Sequence, residues 1–227
     1  MPLINDPRLQ SVLARLHALS DAQTEALAAF EANRRTAGAT VSEEDVKAFR
    51  RDKLVALDKD KAEFCYRLCR ATGARRVVEI GTSFGVSTLY LAAAVRANRA
   101  ALGGDGIVVA TEYEPLKAAQ ARENFAAAGV ADLIDLREGD FRETLKMLPP
   151  AIDFVLVDIW IRYARAAIEL VSPNLRSGAV VVCDNTQIQR ADYADYLAFV
   201  RDPARGFTSM TLPFDGGLEF SVFTGRP

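Results

Sequence analysis

Residues 76–92, Arg-Val-Val-Glu-Ile-Gly-Thr-Ser-Phe-Gly-Val-Ser-Thr-Leu-Tyr-Leu-Ala, decide the fold. Val77 to Ile80 is a short, mostly β-branched run, the mark of a buried strand. Gly81 to Gly85 turns the chain, and from Val86 the apolar residues recur at helical spacing, at Leu89, Ala92 and Ala93. Strand, glycine turn and helix open a nucleotide-binding α/β unit, whose helix start offers free N–H groups to a ligand. The spacing is G-x-x-x-G with Glu79 two positions ahead of Gly81, not G-x-G-x-x-G. A carboxylate at that point repels a pyrophosphate. The turn therefore points away from a dinucleotide and toward a cationic adenosine cofactor.

Outward from this unit, strands and helices alternate. Ile107 to Ala110 reads as the second strand, Leu133 to Leu136 as the third, Asp153 to Val157 as the fourth and Ala179 to Cys183 as the fifth, the last entered by a Ser177-Gly178 turn. Helices are expected over Pro115 to Ala128, Phe141 to Leu148, Arg162 to Val171 and Asp192 to Val200. Phe207 to Leu212 and Leu218 to Phe223 flank Pro213-Phe214-Asp215-Gly216-Gly217, a hairpin signal. The fold class is α/β: a Rossmann-like, seven-stranded, mostly parallel sheet with an antiparallel C-terminal hairpin and helices on both faces.

Residues 1–50 read as a helical extension ahead of a main domain over 51–227. Leu9, Val12, Leu13, Leu16 and Leu19 form an amphipathic stripe. Ser20-x-x-Gln23 reads as a capping box opening a second, alanine-rich helix to about Ala32. Thr36 to Thr40 is expected to turn, Ser42 to begin another helix, and Lys59 to Ala71 to form a further one ending near Gly73. The extension is expected to pack, or to serve as a lid or a dimer contact.

Composition bounds the function. Of 227 residues half are hydrophobic, and the net charge is −2, so no basic field argues for nucleic acid. No apolar run approaches a membrane span, and no secretory signal is visible at the N-terminus. Three cysteines without framework spacing suggest a reducing, cytoplasmic setting in which Cys65 and Cys69 simply pack. The expected partner is a small-molecule acceptor, not nucleic acid or membrane, and the apolar N-terminal stripes suggest a homodimer.

Ligands in open α/β sheets bind at the carboxyl ends of the strands. Oxygen-bearing residues fall at five successive ends: Glu79, Glu112, Asp140, Asp158, and Asp184 with Asn185. Each alone is an ordinary cap or turn residue, whereas five together suggest a convergent polar pocket. Glu112 suits both ribose hydroxyls. Asp158, Asp184 and Asn185 suit a hard cation such as Mg²⁺, and with His17 the single histidine there is no set to favour zinc.

Val-Val-Glu-Ile-Gly-Thr-Ser-Phe-Gly-Val-Ser (77–87), Thr-Glu-Tyr-Glu-Pro (111–115), Glu-Gly-Asp (138–140), Phe-Val-Leu-Val-Asp-Ile-Trp (154–160), Val-Val-Val-Cys-Asp-Asn (180–185) and Asp-Gly-Gly-Leu-Glu-Phe-Ser-Val (215–222) together resemble the class I S-adenosylmethionine-dependent O-methyltransferases. The resemblance is to their cation-dependent branch, the catechol and caffeoyl-CoA O-methyltransferases, and covers about residues 52 to 224. It implies that Glu79, Gly81, Thr82, Ser83, Gly85 and Ser87 hold the methionine part of S-adenosylmethionine. Glu112 would bind the ribose beside Tyr113, with Gly139, Asp140 and Phe141 near the adenine edge and Trp160 against its face. Asp158, Asp184 and Asn185 would ligate the metal, with Asp158 catalytic and also among the cofactor-binding residues. A metal chelated by two oxygens of a catechol-like acceptor would activate the hydroxyl.

One residue departs from the pattern. Relatives carry a lysine three positions after the first metal aspartate, proposed as the base, where this chain has Ile161 followed by Arg162-Tyr163. Three readings stay open: a cation-dependent O-methyltransferase, a metal-independent methyltransferase with another acceptor, and a cofactor-binding protein without catalysis.

Overall fold

The computed structural model describes residues 3–37, 41–188 and 190–225. Three helices come first: α1 (Pro7–Ala37), α2 (Glu43–Arg50) and α3 (Lys59–Thr72). Strands and helices then alternate through β1 (Arg76–Ile80), α4 (Val86–Leu102), β2 (Ile107–Glu112), α5 (Pro115–Ala128), β3 (Ile134–Glu138), α6 (Phe141–Thr144), β4 (Ile152–Val157), α7 (Ile161–Val171), β5 (Leu175–Asp184), α8 (Ala194–Arg201), β6 (Phe207–Leu212) and β7 (Leu218–Phe223). The strands form one sheet in the order β3-β2-β1-β4-β5-β7-β6. β1 to β5 pair in parallel, and β7 runs antiparallel to both β5 and β6.

Period-two alternation along the inner strands feeds two cores. Val77, Val108, Phe154, Leu156, Val180 and Val182 pack with α1, α3, α4 and α5. Val78, Ile80, Val109, Val155, Val157 and Val181 point the other way, onto α7 and α8. This is the pattern of a parallel sheet covered on both faces. The three cysteines are free and buried, in keeping with simple packing. Among the described residues no helix is long and apolar enough to cross a membrane.

The N-terminal region differs from its sequence reading. One helix runs from Pro7 to Ala37 where two were expected. No glycine or proline falls between Arg8 and Ala37 to break it. Gln23 serves elsewhere: its Oε1 accepts the Leu54 N–H at 2.9 Å and pins the loop before α3. Thr36 is helical, and positions 38–40 of the expected turn lie outside the described residues. The capping box falls one helix later, where Ser42 and Asp45 bond reciprocally at the start of α2. The apolar stripe Leu9, Val12, Leu13 and Leu16 is buried in the chain's own core with α4 and α5, so it is not left over for a second copy.

Smaller differences lie at element ends. The third strand starts at Ile134, because 131–133 form a 3₁₀ turn. The helix expected over Phe141 to Leu148 is one turn, ending at Thr144. The fifth strand begins at Leu175, and Ser177-Gly178 is a bulge in it rather than an entering turn.

Candidate active site

β1 has β2 on one side and β4 on the other, so the chain leaves this point of the sheet in two directions. Such a switch point opens a crevice beyond the strand ends. Here it is a cleft of about 1300 Å³. Eleven of the residues expected to bind cofactor line it: Gly81, Thr82, Ser83, Ser87, Glu112, Tyr113, Gly139, Asp140, Phe141, Asp158 and Trp160. Asn185 lines it too. Glu79, Gly85 and Asp184 do not reach its wall; they stand behind it and shape it.

The turn after β1 is held from two sides. The Gly81 and Thr82 N–H groups both donate to Thr111 O, at 3.3 and 3.0 Å. Gly81 sits at φ +100, and a Cβ there would lie 1.9 Å from Asp158 O, so only glycine lets β1 and β4 end this close together. Glu79 is fully buried beneath the turn. Its Oε2 accepts the Thr82 hydroxyl at 3.0 Å and the Thr88 hydroxyl. Its Oε1 has no partner. Burial pushes Glu79 up to about 7, against the opposing effect of the nearby Ser87, Thr88 and Thr82 hydroxyls.

Ser83 adopts φ +50, strained for a residue with a side chain. Its N–H donates to Glu112 Oε2 at 2.7 Å, and the Glu114 N–H donates to Glu112 Oε1 at 2.8 Å. Two backbone donors thus fix the Glu112 carboxylate at the cleft wall, and burial raises its pKa. The Ser83 hydroxyl is left without a partner. Tyr113 beside it is 67% exposed, free to face a ligand.

The opposite wall is aromatic and basic. Asp140 caps α6, accepting the Arg142 N–H at 2.9 Å and its guanidinium. This is the ordinary capping role, although the residue also faces the cleft. The Phe141 and Tyr163 rings meet edge-on at 6.2 Å. Trp160 lies under the Arg50 guanidinium, 5.8 Å from the ring centroid. Arg50 comes from α2 and is paired with Glu31 of α1 at 2.6 Å. The N-terminal helices therefore form one side of the cleft, through Glu31, Arg34, Val46, Lys47 and Arg50.

The acidic end holds a residue that the motif reading missed. Lys61 of α3 is fully buried, and its Nζ lies 2.7 Å from Asp184 Oδ1, 2.9 Å from Asp58 Oδ2 and 3.3 Å from Asn185 Oδ1. The Asn185 amide donates to Asp184 Oδ2 at 2.8 Å. Burial opposes the ammonium, but Asp184 and Asp58 outweigh it and hold Lys61 above its ordinary value. Burial, and then the carboxylates of Asp184 and Glu79, push Asp158 well above the usual carboxylate range.

The three oxygen donors expected to ligate a metal are thus brought to one place, yet they are arranged around an ammonium. Both Asp184 oxygens and the Asn185 oxygen are turned to Lys61 or to each other, and a divalent ion among them would lie against a like charge. As folded, the set does not fit such an ion. Among the described residues no three His, Cys, Asp or Glu side chains group as metal ligands. A sequence signal for Lys61 did exist: with Ala62, Cys65 and Cys69 it falls on the buried face of α3. A lysine on an apolar stripe needs buried partners.

Residues 78–186 match a family described as a methyltransferase domain. A catechol O-methyltransferase of Mycobacterium tuberculosis is 38% identical over 136 residues, 58% of this chain and 57% of that protein. The chain spans just over half the length of the catechol O-methyltransferases it matches. A Mycolicibacterium smegmatis relative carrying an O-methyltransferase name is 30% identical over 168 residues, 68% of this chain and 77% of the relative. Among solved structures, the O-methyltransferase TomG of Streptomyces achromogenes, in complex with SAM, is similar with a TM-score of 0.65 and 25% identity, over 86% of this chain and 96% of that one. Strand order, motif order and these likenesses agree: the chain belongs to the O-methyltransferase family.

Proposed function

We propose that this protein transfers a methyl group from S-adenosylmethionine to a hydroxyl of a small, catechol-like acceptor. The observation that carries the reading is Glu112, a carboxylate fixed at the cleft wall by two backbone N–H groups where ribose hydroxyls would donate to it. The unpartnered Glu79 oxygen behind the turn adds negative field for the sulfonium and ammonium charges. The first turn of α4 offers N–H groups to the cofactor's carboxylate. Tyr113, Phe141 and Trp160 supply faces and edges for the adenine. A cleft of about 1300 Å³ holds cofactor and acceptor together.

In the step itself a lone pair of the acceptor hydroxyl forms the new O–C bond. The S–C bond breaks, its pair returns to sulfur, and S-adenosylhomocysteine leaves. Asp158 accepts the hydrogen bond of the hydroxyl and aligns it for in-line attack, and the proton leaves to water in the cleft. Arg50 over Trp160 supports a lid role for the N-terminal helices.

A divalent cation at Asp158, Asp184 and Asn185 belongs to the first of the three readings. The second is a metal-independent methyltransferase with another acceptor, and the Lys61 ammonium bonded to Asp184 and Asn185 favours its metal independence. The test is calorimetric titration of S-adenosylmethionine into the protein, with methylation of catechol followed by mass spectrometry. Glu112→Ala is expected to weaken cofactor binding about 30- to 100-fold. Unchanged affinity in that variant, or no binding by the wild type, would overturn the reading.

A further inference from the structure

We propose that Lys61 is the built-in cation of this site, holding the position between Asp184 and Asn185 where a divalent ion would otherwise bind. The inference rests on the methyltransferase reading only for what the cleft does; the placement of Lys61 stands apart from it.

Three observations carry it. An ammonium has three N–H donors, and Lys61 has three oxygen partners: Asp58, Asp184 and Asn185. Every donor is used, with none left for a ligand. The side chain is fully buried and off the cleft wall, so it acts through Asp184 and Asn185 as a positioning residue. Second, its partners come from separate parts of the chain, Asp58 just before α3 and the other two at the end of β5, so the fold converges on this ammonium. Third, Asn185 is held for the contact. It adopts φ +59, and Gly216 in the β6–β7 turn leaves it room: a Cβ there would lie 2.4 Å from Asn185 Oδ1.

A charge fixed on the chain and a charge recruited from solution differ in what removes them. The ammonium is insensitive to chelators, and it repels a second cation from the oxygens it holds. Without Lys61, the same oxygens form an acidic, hard-donor cluster of the kind divalent and lanthanide ions take. A Lys61→Met change therefore converts an ammonium site into a metal site.

The experiment uses Tb³⁺ luminescence excited through Trp160, the single tryptophan of the chain, which lines the cleft two residues beyond Asp158. Wild-type protein is expected to stay dark, while Lys61→Met lights up with affinity at least about 100-fold higher. A merely structural lysine would not produce that gain. Wild-type emission that excess Mg²⁺ quenches overturns the proposal, as does a folded Lys61→Met protein that stays dark. If Lys61→Met fails to fold, the wild type decides. A dark wild type whose catechol methylation is unchanged by chelator supports the built-in cation, and methylation abolished by chelator and restored by Mg²⁺ overturns it. Titration of S-adenosylmethionine into the same samples separates the two claims: its failure to bind sinks the methyltransferase reading and leaves the Tb³⁺ result in force.

Discussion

The two ends of the cleft, proposed above to take the cofactor and the acceptor, are built differently. At the cofactor end, the turn after β1 and the end of β2 are each a few residues long, and their chemistry is local. Glu79 bonds Thr82 and Thr88, and Glu112 bonds the Ser83 and Glu114 backbone. At the acceptor end, Asp184 and Asn185 take their character from Lys61, more than a hundred residues earlier in the chain. A motif read along the sequence captures the first kind of site. It captures only half of the second, because the partner that sets its charge is brought in by the tertiary fold.

The sharpest way to break the cofactor end is Gly81→Ala. The added Cβ collides with the Asp158 carbonyl oxygen and φ is +100, so a loss of at least about 4 kcal/mol in stability, with loss of cofactor binding, is expected. Denaturant unfolding of the variant checks it. A stable variant would mean that β1 and β4 do not end as close together as described.

Glu79→Gln sharpens the comparison through pH. The folded-state pKa stands at about 7 against an ordinary 4.5, chiefly through burial. A raised carboxylate contributes its stability fully below pH 4.5 and loses it as pH rises to about 7, a slope of at most about 3 kcal/mol. Glu79→Gln should flatten that slope in the ligand-free protein, read from unfolding midpoints across this range. A cationic ligand favours the ionised carboxylate. Affinity for S-adenosylmethionine should therefore rise with pH through the same window in the wild type and not in the variant.

At the acceptor end the expected effect is smaller. Gly216→Ala forces Asn185 Oδ1 to move and strains a residue at φ +69, at a cost of about 1–2 kcal/mol. Cofactor affinity should hold while the acceptor KM rises. A change in both alike would show that the two ends are not separable.

The contrast also explains what was legible. The alternation of strands and helices, the C-terminal hairpin and the polar strand ends at Glu112, Asp140 and Asp158 follow from periodicity, glycine turns and polar patterning, all short-range signals, whereas Tyr113, Phe141 and Trp160 are indicated only by the family resemblance. Ser20 misled because a good capping pattern inside an unbroken helical run competes with helix continuation, and nothing in residues 8–37 stops the helix. Ile161 signalled that the acceptor end departs from the family pattern, yet the departure could not be resolved locally. Lys61 carries one local signal, its place on the face of α3 with Ala62, Cys65 and Cys69, but its partners Asp184 and Asn185 come to it only when α3 is docked.

The measurement that tests this contrast most directly is calorimetric titration of S-adenosylmethionine and then of catechol, each in chelator and in Mg²⁺. With a local cofactor site and a built-in ammonium, both ligands bind, and neither affinity changes by more than about twofold between the two conditions. Catechol binding that appears only when Mg²⁺ is present would contradict it and return the acceptor end to a recruited metal.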